Sequence, residues 1–293
     1  MSCPFLREMQ VKYCQTSAFR KLIPLAQTGR ADEKCSSAEH VSCPVFRGQM
    51  ENDPVSGTCP YLRESLMQYC GAAPVAKLVP YSESLLSRCG NDNFRYCQLY
   101  LAMAHPSVDA EEADRAPMPG QLKYSANHMW IDATEDGVCH VGIDAFLSRV
   151  LGKVERVSYV WLNGRHRPTA VLTVEGVDLE VVFPNPLLLT NCNLYLRADP
   201  SPLTSQPYTA GWLFEGVLEP GALDKLFEGA AARAWMEREQ HRINEFLQQQ
   251  LCQPTAADGG QFVAGLARLL DRGQLRALFH SFFSPGASEE RES

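Results

Sequence analysis

Residues Thr169–Phe183, TAVLTVEGVDLEVVF, determine the fold class that the sequence predicts for the centre of this chain. β-Branched residues fill both halves of the stretch, and Glu175-Gly176 between them is a turn signal, so we expect a hairpin of two strands. The preceding segment VERVSYVWL, residues 154–162, has the same composition and is followed by a second turn signal, Asn163-Gly164. The sequence therefore predicts β-structure from Lys123 onward.

The first hundred residues carry a tandem repeat, whose two copies begin with CPFLRE at Cys3 and CPYLRE at Cys59. Each copy has the framework C-x10-C, then eighteen or twenty residues, then C-x7-C, and the copies share apolar and proline positions. We therefore expect both copies to fold alike. The repeated cysteines, eight of the eleven in the chain, are Cys3, Cys14, Cys35, Cys43, Cys59, Cys70, Cys89 and Cys97.

These eight cysteines are the candidate metal ligands. Persistent disulfides are disfavoured in a reducing cytosol, and thiolate is a soft ligand for zinc, copper(I) and iron–sulfur clusters. Four cysteines per repeat match either a tetrahedral zinc site or a cubane cluster. Because no short Cys-x2–4-Cys knuckle occurs and several of the cysteines precede proline, the pattern favours an iron–sulfur cluster over zinc. A module of buried cysteines that bind no metal is the third interpretation.

The spacing within one repeat restricts how a metal can be held. Pro4 and Pro60 suit the first turn of a helix, and FLREMQVKY, residues 5–13, is a plausible helix. An unbroken helix with a rise of about 1.5 Å per residue would put Cys3 about 16 Å from Cys14, too far for one small centre. Either the helix starts late or the two repeats exchange ligands, and the sequence leaves both arrangements open.

Charge and hydropathy argue against two kinds of partner. The net charge is −7 and no basic run stands out, so we expect no nucleic-acid binding, which needs clustered positive charge. No stretch approaches the ~20 apolar residues of a membrane helix, and the N-terminus lacks the features of a signal peptide. We expect a cytoplasmic protein that makes no membrane contact and has a protein partner.

The stretch from Lys123 to residue 244 resembles the H protein of the glycine cleavage system. Four motifs carry the resemblance in order, namely KYSANHMWI at 123–131, VGIDAFLSRVLGKVERV at 141–157, PYTAGWL at 207–213 and EPGALDKLFEG at 219–229. The resemblance implies a flattened antiparallel β-sandwich of the lipoyl-domain type. Short strands, glycine turns and aromatic residues at strand ends agree with that fold.

The same resemblance implies a lipoyl lysine at the tip of a β-hairpin, and here the match fails. Counting back from Pro184 puts Gly176 at the lipoyl position, and a two-residue gap puts Asp178 there instead. Neither residue has an amine, and the nearest upstream lysine, Lys153, lies on a different element. We therefore expect no lipoate on this chain, and a fold that has lost its site is available for another function.

These observations predict an α+β protein with four segments. Residues 1–105 are expected to form a duplicated helical four-cysteine module and 106–121 an acidic linker. Residues 122–245 are expected to form the lipoyl-type β domain, and 246–293 a C-terminal helical segment with a disordered tail. The C-terminal segment has an apolar helical face that packs on the β domain or meets a partner, and this face consists of Leu275, Leu278, Phe279, Phe282 and Phe283.

Other candidate residues give weaker indications of a functional role. We expect His128 to pack or form hydrogen bonds, and His166 to lie in a solvated turn. A pairing of His140 with Asp144 has no serine or metal motif nearby. No P-loop, dinucleotide fingerprint, HExxH motif or nucleophile elbow occurs, so no catalytic centre is expected. The remaining cysteines are expected to be buried apolar side chains, and they are Cys139, Cys192 and Cys252.

The sequence thus predicts a non-catalytic metal-binding protein, whose lipoate-free H-protein-like domain is a platform for a protein partner. The alternative is an iron–sulfur protein that passes electrons to a redox partner docked on the β domain. Metal analysis with acid-labile sulfide distinguishes the metals that these functions need.

Overall fold

The computed structural model describes residues 1–16, 23–24, 34–48, 57–73, 77–79, 88–104, 118–218, 226–251 and 264–284. The chain divides into two compact units, Met1–Arg95 and Tyr96–Ser293. Most of the predicted linker, residues 106–117, and the end of the predicted tail lie outside the described residues. We describe each unit by itself.

The first unit is built on an antiparallel sheet. Its described strands are β1 (Leu6–Cys14), β2 (Ile23–Pro24), β3 (Leu62–Cys70) and β4 (Lys77–Val79), in the order β2-β1-β3-β4. The central pair, β1 and β3, is the same segment of the two repeats, aligned from Leu6 opposite Cys70 to Cys14 opposite Leu62. This pairing relates the two copies by an approximate twofold axis.

The helix predicted for residues 5–13 is wrong, because Leu6–Cys14 is a strand in the first repeat and Leu62–Cys70 in the second. Pro4 lies before the strand, in a turn that the Leu6 N–H closes by donating to the Cys3 carbonyl at 3.0 Å. Intrinsic propensity is a weak preference, and pairing with a second copy outweighs it here.

The two copies do fold alike where both are described. In each, a 3-10 helix follows the third cysteine, Ala38–Ser42 in the first repeat and Asp92–Tyr96 in the second. A short α-helix comes next, α1 (Pro44–Arg47) or α2 (Gln98–Ala104). Tyr96, Cys97 and α2 belong to the second unit by their contacts.

The second unit contains two antiparallel sheets. The first, of six described strands, has the order β5-β6-β7-β13-β12-β9, and the other, of three, has the order β11-β10-β8. The strands are β5 (Lys123–Tyr124), β6 (Met129–Ala133), β7 (Val138–Ile143), β8 (Arg156–Val160), β9 (Arg165–His166), β10 (Thr169–Val174), β11 (Val177–Val182), β12 (Leu187–Cys192) and β13 (Phe214–Val217). The hairpin predicted at 169–183 is β10 and β11, and the prediction of an antiparallel β domain is confirmed.

Alternation along these strands builds the core. On β10 the buried residues are Ala170, Leu172 and Val174, and their neighbours in the sequence face outward. A strand with one buried face shows this period of two, which is why the sequence identified the hairpin.

Helices cover the sheets of the second unit. They are α3 (Ala145–Leu151), α4 (Tyr195–Ala198), α5 (Pro202–Ser205), α6 (Gly229–Leu251) and α7 (Arg272–Phe283). A capping box starts α7, in which the Asp271 side chain accepts from the Gln274 N–H at 2.8 Å. The predicted apolar face of α7 is buried against the core, which decides between packing and exposure to a partner.

No helix in the described ranges combines the length and the apolar character that crossing a membrane requires.

Candidate functional site

The antiparallel pairing of β1 with β3 sorts six of the repeated cysteines into two groups, one at each end of the strand pair. At one end, Cys70 closes β3 opposite Leu6, and the Cys3 N–H donates to the Cys89 carbonyl at 2.9 Å. At the other end, Cys14 closes β1 opposite Leu62. There the Cys59 N–H donates to the Cys35 carbonyl at 2.7 Å. Each end therefore joins the first cysteine of one repeat to later cysteines of the other.

The length of β1 excludes a centre that uses all four cysteines of one repeat. From Leu6 to Cys14 the strand advances eight residues, which at about 3.4 Å per residue is about 27 Å. Cys3 precedes this strand and Cys14 ends it, so one metal ion or small cluster cannot bind both. Of the two arrangements that the sequence left open, a late-starting helix is wrong, because Leu6–Cys14 is a strand, and ligand exchange between the repeats stays a prediction.

Burial of the thiols differs between the positions. Cys3 and Cys59 are buried, and the other six repeated cysteines are half-buried. Among the residues described, no group of three or more histidine, cysteine, aspartate or glutamate side chains is arranged to hold a metal ion. The backbone thus brings six of the eight predicted ligands to the two ends of the strand pair, without arranging the described side chains around a shared point.

The cysteines outside the repeat behave as apolar side chains where they are described. Burial raises the pKa of Cys139 to about 12 and that of Cys192 to about 11, so both stay protonated at neutral pH. A protonated thiol is neither a nucleophile nor a good metal ligand. Cys252 lies outside the described residues.

The tip of the β10–β11 hairpin is a two-residue turn. Val174 pairs with Val177, and Glu175 and Gly176 between them both have positive φ, 48° and 66°. These angles are those of a type I′ turn, which favours glycine at its second position. Gly176, the predicted lipoyl position, therefore lies at the tip, whereas Asp178 lies on β11 and accepts from Thr173 Oγ1 at 2.6 Å. The hairpin contains no lysine.

His128 belongs to a buried charged network. Its Nδ1 lies 2.8 Å from Asp144 Oδ2, and its Nε2 lies 3.6 Å from Glu239 Oε2. Arg242 donates to both oxygens of Glu239 at 2.7 Å. Burial alone would lower the pKa of His128, but the two carboxylates outweigh it and the pKa is raised. The network joins α6 to the β domain, so the expectation of packing and hydrogen bonding is confirmed.

Two other histidine expectations have different outcomes. Asp144 pairs with His128 and not with His140, whose Nε2 lies 3.7 Å from Glu215 Oε1 on the neighbouring strand. His140 is buried and stacks on Tyr96 with ring centroids 4.0 Å apart. The expectation of a solvated turn at His166 is wrong, because His166 is half-buried on the short strand β9, with its Nδ1 3.1 Å from the Gly164 carbonyl oxygen.

The sequence reasoning missed His40. It lies between Cys35 and Cys43 in the first repeat, and its side chain is fully buried. A signal was available, since the spacing C-x4-H-x2-C places a histidine among candidate thiolate ligands.

A groove opens beside the edge strand β8. Its volume is about 450 Å³, and its walls include Trp161, Asn191, Leu194 and Arg197. Trp161 is 54% exposed, and Tyr195 next to Leu194 is 65% exposed. Exposed large apolar side chains that line one groove, here Trp161 and Leu194, are typical of a surface that binds a partner.

Comparison with known proteins bears on the second unit. A family model described as Glycine cleavage H-protein matches residues 122–239. The glycine cleavage system H protein of Sodalis glossinidius is 28% identical over 128 residues, which is 42% of this chain and 96% of that protein. The H protein of Marinobacter nauticus is 29% identical over 119 residues, 39% of this chain and 91% of that protein.

A solved structure also matches a portion of the chain. It is the crystal structure of a glycine cleavage system H protein from Mycobacterium marinum, with 24% sequence identity and a TM-score of 0.36. The match covers 42% of this chain and 98% of that one.

The antiparallel β domain of the second unit is thus of the lipoyl-domain class. More narrowly, residues 122–239 form a glycine cleavage H-protein-like domain. The resemblance that four sequence motifs predicted is confirmed for this stretch of the chain.

Proposed function

We propose that this chain is a non-catalytic metal-binding protein with two thiolate centres, and that its H-protein-like domain carries no lipoate and docks a protein partner. The observation that carries the metal proposal is the pairing of cysteine segments across the repeats, through the Cys3–Cys89 and Cys59–Cys35 backbone hydrogen bonds. An iron–sulfur cluster is favoured over zinc by the Cys-Pro pattern and by the lack of a short knuckle.

The exchange assigns the ligands to two sets. One centre takes Cys3, Cys70 and Cys89, and the other takes cysteines from Cys14, Cys35, Cys43 and Cys59. In the repeat framework, Cys97 is the sequence counterpart of Cys43. Two repeats that each supply ligands to the other's centre cannot fold independently, which is a physical reason for the module to be duplicated.

Binding is expected to complete the ligand geometry. Thiolate ligation and folding are thermodynamically coupled, because a metal binds the ordered state and releases the thiol protons. Among the described residues no three such side chains are arranged to hold a metal ion. The proposal therefore requires side-chain movement at each end of the strand pair, with little change in β1 and β3.

Metal content is the direct test. The full chain, purified without oxygen, is assayed for iron, zinc and acid-labile sulfide. We expect two centres per chain, with sulfide if they are clusters. A protein that binds neither metal, and whose repeated thiols all react quickly with a thiol reagent, would contradict the proposal.

Serine substitutions test the assignment. Cys3→Ser and Cys70→Ser should remove the same centre, and Cys14→Ser should remove the other, because serine is a poor, mostly protonated ligand. The matched control is Cys192→Ser, at a buried cysteine of the other unit, which should leave both centres in place. Loss of one shared centre in Cys3→Ser and Cys14→Ser would favour ligation within a repeat.

The absence of lipoate follows from the hairpin tip. A lipoyl arm needs an amine, and the tip offers Glu175 and Gly176. Intact mass after co-expression with a lipoate ligase should show no adduct. The matched variant is Gly176→Lys, in which an added Cβ would lie 3.6 Å from Arg272 Nη2. The φ of 66° strains any side chain there, so a thermal melt checks that the variant folds. A lipoyl adduct on the wild-type chain would contradict the proposal.

The docking proposal is supported by the groove beside β8. We expect a partner identified by cross-linking in the native cell to lose contact with Trp161→Ser and Tyr195→Ser variants. Leu66→Ser is the matched control, since Leu66 is also 54% exposed but lies on the other unit. Equal loss of partner contact in all three variants would show that the groove beside β8 has no specific role in docking.

A further inference from the structure

Two backbone hydrogen bonds place cysteines of different repeats side by side, one at each end of the β1–β3 pair. The Cys3 N–H donates to the Cys89 carbonyl at 2.9 Å, and the Cys59 N–H donates to the Cys35 carbonyl at 2.7 Å. In the repeat framework Cys3 corresponds to Cys59, and Cys89 to Cys35, so the same contact is made twice. A contact with cysteine on both sides in both copies points to chemistry between the two thiols.

The hydrogen bonds put each pair of cysteines within the reach of a disulfide. Residues joined in this way in an antiparallel ladder have Cα atoms about 5.5 Å apart. Disulfides join residues whose Cα atoms are about 4.4–6.8 Å apart. Cys3 and Cys14 of the first repeat, by contrast, are kept apart by the length of β1, so no bridge can form between them.

Each pair combines a buried thiol with a more accessible one. Cys3 is 9% exposed and Cys59 is 8% exposed, whereas Cys89 and Cys35 are half-buried. None of the four is disulfide-bonded in the structure. An oxidant therefore reaches Cys89 or Cys35 first, and a second thiol is already beside it. Redox-sensing cysteines have this arrangement, in which an accessible thiol lies next to a resolving cysteine.

We propose that Cys3–Cys89 and Cys35–Cys59 are two reversible disulfide pairs, which form between the repeats when the metal-free chain meets a peroxide. The inference goes beyond the proposed function and does not rest on it, because the bridges need no metal. In the reducing compartment that the sequence predicts, such bridges are transient and typical of redox sensing. Oxidation withdraws two thiols from each proposed centre, so the redox state also controls whether a metal can bind.

The reaction balances with hydrogen peroxide as the oxidant. The Cys89 thiolate attacks one peroxide oxygen, the O–O bond breaks, and the leaving hydroxide takes a proton to become water. The Cys3 thiolate then attacks the sulfur of the sulfenic acid, which forms the S–S bond and releases a second water. The two thiols supply both protons and lose two electrons to one peroxide. The Cys35–Cys59 pair consumes a second peroxide in the same way, and a dithiol reductant reverses both steps by thiol–disulfide exchange.

The test maps disulfides in the full chain. The reduced protein, kept free of metal by a chelator, is treated with hydrogen peroxide, its remaining thiols are alkylated, and the unreduced digest is analysed by mass spectrometry. We expect peptides linked through Cys3–Cys89 and Cys35–Cys59, which separate when dithiothreitol is added. Oxidation in urea is the control, since the unfolded chain should pair its cysteines without this selectivity. Links within one repeat, links between two chains, or thiols that all stay reduced would overturn the inference.

Matched serine variants assign each bridge. Cys3→Ser should lose the Cys3–Cys89 peptide and keep the other, Cys59→Ser should do the reverse, and Cys192→Ser should keep both. The wild-type map does not depend on how these variants fold. Metal content is measured separately. A chain that forms both bridges but binds no metal contradicts only the proposed function, and a chain that binds metal but forms neither bridge contradicts only this inference.

Discussion

At the scale of single residues, His128 shows how a buried charge is held in this fold. It adopts a positive φ of 62°, which is uncommon for a residue other than glycine, and its ring stacks on Phe146 at 4.3 Å. Asp144, which also caps α3 by accepting from the Leu147 N–H, supplies one carboxylate, and Glu239 of α6 supplies the other. The strain and the burial are tolerated because both imidazole nitrogens face acidic groups.

The first prediction is that His128 makes the stability of the second unit depend on pH. Its pKa is raised in the folded state, so the stabilisation is fully present below the unfolded pKa of about 6.5 and is lost as the pH rises through the folded pKa. His128→Asn, which tolerates positive φ, should destabilise the unit by about 3 kcal/mol. It should also flatten the pH dependence of the melting temperature above neutrality.

Thermal melts at several pH values check this prediction, with His166→Asn as the control. His166 is half-buried on the short strand β9 and lies outside the network of His128, so its replacement should cost less stability than that of His128. An unchanged pH slope in His128→Asn would show that another group titrates.

At the scale of elements, the β1–β3 pair holds both proposed metal centres. Val11 of β1 is 1% exposed and pairs with Ser65 of β3 on one side and with Pro24 of β2 on the other. A proline at such a central position removes a ladder donor and a buried side chain. The strand pair is therefore the element whose loss should affect both ends together.

The second prediction is that Val11→Pro abolishes both metal centres at once. In the proposal, each centre takes ligands from segments of both repeats that the β1–β3 pairing holds together, so neither is expected to survive separation of the strands. Metal content of the purified variant is the measurement, and Leu66→Ser, at an exposed position of β3, is the control. Retention of one centre would mean that its ligands do not need the pair.

The third prediction concerns α7, whose apolar face is buried. Phe283 is fully buried and contacts the rings of His128 and Phe146. Phe283→Ala should lower the free energy of unfolding of the second unit by about 3–5 kcal/mol. Arg276→Ala on the exposed face of the same helix should change it by less than about 0.5 kcal/mol. Denaturant titration measures both, and equal small effects would mean that α7 contributes little to the core.

At the scale of the whole molecule, the second unit extends beyond the H-protein-like domain at both ends. Tyr96 stacks on His140, and α7 closes the core that His128 shares. Residues 122–239 therefore match a known family while the unit that packs together runs from Tyr96 to Ser293.

The fourth prediction follows from that difference. A fragment of residues 96–293 should melt cooperatively, and a fragment of 123–250, which lacks α7 and Tyr96, should be much less stable because it exposes buried rings. Calorimetry of both fragments is the measurement. A cooperative melt of the shorter fragment at an unchanged temperature would show that the β domain alone is the folding unit.

Sequence by itself determined the antiparallel β domain, its resemblance to the H protein, the missing lysine at the hairpin tip and the duplication of the first unit. These features depend on local signals, namely alternation along 169–183, turn residues and motif order. Such signals can be read from the sequence because they involve residues that are close together in the chain. The apolar face of α7 was also predicted from the sequence, because its apolar residues recur at the spacing of about 3.6 residues that an α-helix has.

Only the tertiary structure showed that Leu6–Cys14 is a strand and that backbone hydrogen bonds join cysteines of different repeats. The partners of the buried histidines, the Ser37 carbonyl for His40 and Asp144 for His128, were likewise visible only in the structure. The strand forms because a second copy fifty-six residues away pairs with it, and no local preference records that partner. Burial likewise depends on which segments pack together. Histidine is therefore a half-buried residue of strand β9 at His166 and, at His40, a fully buried side chain whose Nε2 no described residue reaches.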